Sequence, residues 1–360
     1  REGGQLAVPQ GVGRGALGEV ERGVAAFADD AGAAWLLDPR VVEEGGVLAE
    51  GEVVRQVVPR DLAVAHEHAL AVETLRSLLP KQHNIAAVGF HGQTIFHLPP
   101  EQAPGNSLQL GSPAALAQLC ALPVVADFRR ADMAQGGQGA PLAPIFHREI
   151  WGSLPGRSAV LNLGGIANLS FIDQQELKAG FDTGPANGLM DGFCQRNLGL
   201  EYDPEGKLAA QGQVLAGLLS AMLDDPYFAL TGPKSTGREY FSQAWLERHL
   251  SGKEQPHDVL RTLLELSVAT ISKGLEPLLP DQVIAVGGGS HNCFLMRRLA
   301  ERNPDTRFTP CGEFGWPEQS IEASLFAWLA MRHLTRQVGN APAVTGARKA
   351  VVLGALYPAP

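Results

Sequence analysis

Cysteine is scarce in this chain of 360 residues. There are four, at 120, 194, 293 and 311, and none forms a C-x-x-C pair. That spacing indicates neither a zinc site nor a disulfide framework; reduced thiols in a cytosolic protein are the expectation. No apolar run reaches the length of a membrane span, and no basic-then-apolar leader opens the chain. A cytoplasmic protein with no membrane partner is therefore expected. Positive charge is also short, with 29 Lys and Arg against 38 Asp and Glu and a net charge of −9. The basic runs are Arg129-Arg130 and Arg297-Arg298. A nucleic-acid surface normally shows a basic patch, so no nucleic-acid partner is expected. Short-period repeats and low-complexity segments are missing too.

What is present is ordinary for a soluble globular protein, with 45% hydrophobic and 19% charged residues. The length suits two domains better than one core. Strands are expected at Ile85–Phe90, Pro123–Ala126, Ala159–Leu163, Leu169–Ile172 and Val283–Val286. Helices are expected at Asp61–Leu79, Ala114–Leu122, Asn187–Asn197, His257–Leu279 and Ser320–Leu334, where apolar residues recur at three-to-four spacing. This alternation points to α/β architecture, in two lobes joined near Leu200. Residues 1–60 stand apart, rich in Gly, Val, Arg and Glu. Their segment 18–37 has the composition of a helix and no clean strand-turn-strand pattern. The stretch 127–144 reads as a long polar, glycine-rich loop, and such loops in compact domains are usually functional.

The most informative stretch is Ala159–Asp191. An apolar run ends in Gly164-Gly165, a second follows, and Asp182 precedes Thr183-Gly184-Pro185 at a helix entrance. Gly164-Gly165 is either a plain hairpin turn or an amide cradle for phosphate, with Asn162 and Asn168 adding polarity. Asp182 either caps the helix or closes an Asx turn, or serves as the base that phosphoryl transfer to a hydroxyl requires. The string VIAVGGGSHN is a strand followed by a glycine turn. It lacks the GxGxxG spacing, so nucleotide contact and a simple tight turn both remain open. PKSTGRE is not a Walker A loop, which needs a glycine run before Gly-Lys-Ser/Thr. His91 and His97 are spaced for neither one helix face nor one strand face, so no metal site is expected. Arg129 and Asp132 either bind a polar ligand or pair with each other. Glu322 sits where a helix dipole favours an acid.

Together these strings resemble the anhydro-N-acetylmuramic acid kinase family. The matching strings are GFHGQT (89–94), LQLG (108–111), DFRRADMAQGGQGAPLAP (127–144), LNLGGIANLS (161–170), GFDTGPANGLMD (180–191), DPYF (225–228), GPKSTGREYF (232–241), VGGGSHN (286–292), IEASLFAWLA (321–330), VTGA (344–347) and LGALYPA (353–359). They are long, unusual and in order, covering the chain from about Asp61. The resemblance implies the two-lobed actin/hexokinase/Hsp70 superfamily fold, with ribonuclease-H-like lobes at 61–200 (incomplete) and 201–360 and ATP between them. It implies opening of the 1,6-anhydro ring of anhydro-N-acetylmuramic acid by water, with ATP phosphorylating O6 to give MurNAc 6-phosphate in peptidoglycan recycling.

The resemblance also implies roles. Asp182 matches the general base. Gly164, Gly165 and Asn168 fall on a phosphate motif, and Gly287, Gly288, Gly289 and Asn292 on an adenosine motif. His91, Gln93, Arg129, Asp132 and Glu322 would line the sugar side. Mg²⁺ would bridge the ATP phosphates, mainly through water and phosphate oxygens. A homodimer is common in such families. One departure stands out: residues 1–60 carry nothing like the Met-Ser-Gly-Thr-Ser-x-Asp-Gly phosphate loop with which the family opens, and the likeness starts only after Pro59. The corresponding expectations are a truncated or frame-disrupted gene, non-native and poorly packed residues 1–60, and, as the rival to an active kinase, a sugar-binding homologue without turnover.

Overall fold

The apolar residues that recur from Leu62 to Leu78 lie on a long helix, and the buried run that follows pairs as the strand it reads as. The structure is a computed structural model that describes residues 25–28, 33–37, 50–80, 83–98, 100, 105–231, 234–238 and 240–360. In chain order its elements are β1 (Ala25–Ala28), β2 (Ala33–Leu37), α1 (Glu50–Leu78), β3 (Asn84–Phe90), β4 (Gln93–Leu98), β5 (Asn106–Leu110), α2 (Pro113–Cys120) and β6 (Val124–Ala126). Then come α3 (Arg130–Ala134), α4 (Ala143–Trp151), β7 (Ser158–Leu163), β8 (Ile166–Asp173), β9 (Glu176–Pro185), α5 (Asn187–Leu198), α6 (Ala216–Leu223), α7 (Gln243–Glu247) and α8 (Pro256–Leu275). The chain ends with β10 (Gln282–Val286), α9 (Cys293–Arg302), β11 (Arg307–Pro310), α10 (Ile321–Leu334), α11 (Pro342–Thr345) and β12 (Ala355–Tyr357).

Two five-stranded sheets organise the α/β fold, in the orders β1-β2-β3-β6-β12 and β11-β10-β7-β8-β9. In the second, β7, β8 and β9 form an antiparallel meander, and β10 and β11 add in parallel beside β7. A three-strand meander extended by two parallel strands is the arrangement expected of a ribonuclease-H-like lobe. The parallel additions need crossovers, which α5 to α8 and α9 supply. The second sheet buries Leu161, Leu163 and Leu169 against α8 residues Leu260, Leu264 and Ile271. A further apolar cluster joins Val125 of the first sheet, Val160 and Ile284 of the second, and Phe326 and Leu329 of α10. The two sheets thus share an apolar cluster with α10.

Several expectations change here. Segment 18–37 is not helical where it is described; β1 and β2 form an antiparallel hairpin whose second strand runs parallel to β3. The open backbone edge of β3 offers hydrogen-bond partners that a solvated helix would leave unpaired. The expectations of poor packing and of a missing phosphate loop otherwise fall on 1–24, 29–32 and 38–49, outside the described residues. The 127–144 loop contains α3, so its irregular part is shorter, 135–142. A division at Leu200 is not followed by the strands: β7–β9 lie before it and pair with β10 after it, while β12 returns to the first sheet. Sheet pairing, not chain order, sets the lobes, and on that basis we propose a division between β6 and β7.

Close approach of α10 to β3 depends on Gly89. A Cβ there would lie 2.2 Å from the Phe326 carbonyl oxygen and 2.7 Å from its carbon. Gly89→Ala must therefore push the α10 backbone off the sheet, and overpacking of this kind costs about 1–3 kcal/mol or more. Urea unfolding is expected to show that loss; an unchanged midpoint would mean that α10 yields without cost.

Candidate active site

Alternation on the central strands lifts polar side chains out of an otherwise apolar sheet. Asn162 on β7 is half-buried between buried Leu161 and Leu163, and Asn168 on β8 between buried Ala167 and Leu169. In register, Asn162 faces Asn168, and Asn168 faces Asp182 on β9. Three polar residues therefore form a row across neighbouring strands at the end of the sheet that carries the glycine turns. Asp182 lies within β9 rather than at a helix entrance. The cap position of α5 is Ala186, with no side-chain cap, so Asp182 does not cap that helix.

The surroundings of Asp182 come from a distant loop. Its Oδ2 accepts the Thr236 N–H at 2.9 Å, and its own N–H donates to the Lys234 carbonyl at 2.9 Å. The Tyr227 hydroxyl donates to the Asp182 carbonyl at 2.8 Å. Burial pushes the Asp182 carboxyl up to about 6, although the Thr236 N–H and the Lys234 charge pull the other way. Lys234 lies 4.5 Å from the centre of the Tyr227 ring and donates to the Tyr227 carbonyl at 3.2 Å. Desolvation lowers the Lys234 pKa, and so does the charge of Lys273, against the opposing pull of Asp182. The loop is anchored from below by Asp225, which accepts from Tyr240 and from Trp245 Nε1, each at 2.8 Å.

Gly164-Gly165 is the hairpin turn between β7 and β8. Its carbonyls are taken by the start of α5: Asn187 N–H donates to Gly164 O at 3.0 Å, and Ala186 and Gly188 N–H donate to Gly165 O at 3.0 and 3.1 Å. Gly287 adopts φ +80°, a left-handed conformation that favours glycine, and a Cβ there would meet Asn162 Oδ1 at 2.5 Å. Gly289 is pressed just as closely, its Cβ position 2.6 Å from Asn187 Nδ2. Gly288 has open space in front of it. The two glycine turns and the α5 N-terminus thus converge. Asn292 is partly committed, since its Oδ1 caps α9 by accepting the Leu295 N–H at 3.0 Å.

On the other side, Arg129 and His91 meet. Arg129 Nε and Nη2 lie 3.2 and 3.0 Å from His91 Nε2, and Nη1 donates to the Gly139 carbonyl at 2.8 Å. A guanidinium has no acceptor, so His91 Nε2 accepts and the imidazole proton sits on Nδ1. Burial, helped by the Arg129 charge, lowers the His91 pKa to about 3, which keeps the ring neutral. The ring stacks on Phe326 of α10 at 4.3 Å. Glu322, in the first turn of α10, is open to solvent yet ringed by protein atoms. That crowding raises its pKa against the opposing pull of Arg129. Gln93 begins β4 and bonds locally, Nε2 to the Thr94 carbonyl at 3.3 Å.

Asp132 departs from its expected place on the sugar side. It is fully buried, and both carboxylate oxygens are used internally. Oδ2 accepts the Gly139 N–H at 2.8 Å, and Oδ1 accepts from Asn340 Nδ2 and Thr345 Oγ1, each at 2.7 Å. Nor does it pair with Arg129. Its chemistry is that of a pin holding the 135–142 loop to the C-terminal segment.

Contacts run continuously between the two sides. Gly287 touches Asn162, whose strand leads to Gly164-Gly165; Arg238 lies on Gly165; Thr236 holds Asp182; Ser235 Oγ reaches Gln138 Oε1 at 3.4 Å; and Gly139 holds Arg129. The part that sequence reasoning left unassigned is the 234–238 loop. Its signal was available in the PKSTGRE string, but no local pattern says which strand such a loop covers. Among the described residues no group of three His, Cys, Asp or Glu is placed to hold a metal ion, and no helix is long and apolar enough to cross a membrane.

The family profile described as anhydro-N-acetylmuramic acid kinase matches residues 51–359, so the likeness begins somewhat before Pro59. A protein named anhydro-N-acetylmuramic acid kinase from Chromohalobacter salexigens is 48% identical over 282 residues, 76% of each chain. One of the same name from Pseudomonas putida is 46% identical over 299 residues, 81% of this chain and 82% of that protein. Among solved structures, the activator of 2-hydroxyisocaproyl-CoA dehydratase from Clostridium difficile with bound ADPNP aligns at 12% identity and a TM-score of 0.37, covering 86% of this chain and 90% of that one.

Proposed function

This chain belongs to the anhydro-N-acetylmuramic acid kinase family, and from that premise we propose that it couples ring opening of anhydro-N-acetylmuramic acid to phosphorylation by ATP. The observation that carries the reading is Asp182, raised toward neutrality and bonded through one oxygen, beside two glycine turns. Asp182 takes a proton from water as the water oxygen bonds to C1. The C1–O6 bond breaks, and O6 attacks the γ-phosphorus as ADP leaves. The product is MurNAc 6-phosphate. The bond from Thr236 holds Oδ2 and leaves Oδ1 for the water.

Gly164, Gly165 and Asn168 are assigned to the phosphates, and Gly287, Gly288, Gly289 and Asn292 to the adenosine. Peptide N–H groups at such turns suit anions. His91, Gln93, Arg129 and Glu322 are assigned to the sugar; Asp132 supports them from behind. Mg²⁺ would be carried on phosphate oxygens and water, a mode that suits a site whose described residues form no cluster of carboxylates. A cytoplasmic location and a homodimer belong to the same reading, and sedimentation tests the latter. The rival, a homologue without turnover, gains no support from relatives named for the kinase activity.

The test is ADP release from Mg·ATP with and without anhydro-N-acetylmuramic acid. Sugar-dependent release is expected; release that ignores the sugar would sink the proposal. The pH dependence should follow the base. Because Asp182 must be ionised, kcat/KM is expected to fall about tenfold per pH unit below about 6. Replacing Lys234 with Met removes a charge that favours the carboxylate, so this acid limb should move to higher pH. A limb that stays put would show that Lys234 does not act on the base.

A further inference from the structure

Arg238 is the feature of the site that the assignments above do not absorb. It sits four residues after Lys234, on the loop that holds Asp182. A Cβ on Gly165 would lie 2.3 Å from Arg238 Nε and 2.9 Å from both Cζ and Nη2. The guanidinium therefore rests on the hairpin turn itself, in space that exists because Gly165 has no side chain. The described polar neighbours on the loop are each held through one group, although the Thr236 hydroxyl is buried with no hydrogen-bond partner. Lys234 is on Tyr227, Ser235 on Gln138, Thr236 on Asp182, and Tyr240 on Asp225. Arg238 differs: it is exposed, and among the described residues it has no ion pair or hydrogen-bond partner.

We propose that Arg238 is a catalytic residue that receives the terminal phosphate charge of the bound nucleotide. This inference rests on the kinase reading of the site. A planar fork of donors matches phosphate oxygens in pairs, which an ammonium does not. Phosphoryl transfer spreads charge over the equatorial oxygens of the γ-phosphate as the bond to O6 forms and the bond to the bridging oxygen of ADP breaks. An arginine at those oxygens stabilises that charge. The placement has a second consequence. Arg238 and Thr236 are two residues apart, so one loop presents a cation to the phosphate and an N–H to the base. Nucleotide that draws in Arg238 also fixes Thr236 against Asp182.

The test compares Arg238→Ala with the unaltered full chain by calorimetry, using Mg²⁺ with β,γ-imido-ATP and, separately, adenosine. The expected result is a fall of tenfold or more in affinity for the triphosphate analogue, with adenosine affinity within twofold and an unchanged thermal midpoint. Arg238→Lys should recover part of the loss. Equal affinities for the analogue, or parallel falls for analogue and adenosine, would overturn the proposal. A folding defect shows in the thermal midpoint and in adenosine binding, and so cannot mimic the expected pattern. Failure of the kinase reading shows separately, in the unaltered chain's sugar-dependent ADP release.

Discussion

Replacing Asp182 with asparagine lowers sugar-dependent ADP release by about 10²–10⁴-fold, the range that general-base catalysis contributes, and leaves nucleotide binding nearly intact. The amide carbonyl can still accept the Thr236 N–H, so the loop stays in place while the proton acceptor is lost. Stability should move the other way. The folded-state pKa of Asp182, about 6, lies above the ordinary value of about 4 for an unfolded aspartate. The folded state therefore holds this proton more tightly, and the group's contribution to stability is present below pH 4 and lost as pH rises through 6. At pH 8 the wild-type carboxylate is ionised against its surroundings. Asparagine removes that cost, and the thermal midpoint at pH 8 is expected to rise while activity collapses. A variant that keeps a large share of turnover would remove Asp182 from the base role. A midpoint that falls at pH 8 would contradict the burial argument.

The second large effect is on stability. Asp132→Ala leaves three donors without their acceptor: the Gly139 N–H, Asn340 Nδ2 and Thr345 Oγ1. Unsatisfied buried donors cost about 1–3 kcal/mol each, although Asn340 Nδ2 also reaches the Lys349 carbonyl at 3.3 Å and Thr345 Oγ1 the Ala341 carbonyl at 3.4 Å. A loss on the order of 4 kcal/mol is expected in chemical denaturation. The variant distinguishes a structural pin from a sugar contact. A sugar contact at Asp132 would lower sugar affinity without lowering stability; a pin would lower stability first. Because Gly139 also holds Arg129 through its carbonyl, a weaker sugar affinity can follow the loosened loop. Affinity loss at unchanged stability would restore Asp132 to the sugar side.

Much of the site was legible as strings. The Gly164-Gly165 turn, the Gly287–Gly289 turn and Asp182 all stand in local sequence, because a turn between two apolar strands needs only nearby residues to declare itself. The expected strands around Ile85–Phe90, Ala159–Leu163, Leu169–Ile172 and Val283–Val286 followed from the same local periodicities, and the family likeness from the order of long, unusual strings; β4, β5, β9, β11 and α9 did not follow from them. The N-terminal segment failed on the same logic. The Ala-rich composition of 18–37 favours a helix in isolation, whereas β1 and β2 are selected by the unpaired edge of β3, which no local window contains.

The sequence by itself determined the α/β class, the family and the identity of the polar residues available for chemistry. Tertiary structure decided what each of them does. Asp182 is shifted toward neutrality by burial and bonded by an amide 54 residues away. Asp132 is sealed by partners 208 and 213 residues away, and Arg238 is laid across a glycine from another strand pair. The reason is the range of the forces. Backbone preference is set by neighbours along the chain, but desolvation, charge and hydrogen bonding depend on neighbours in space, which exist only once the two sheets and their loops have packed.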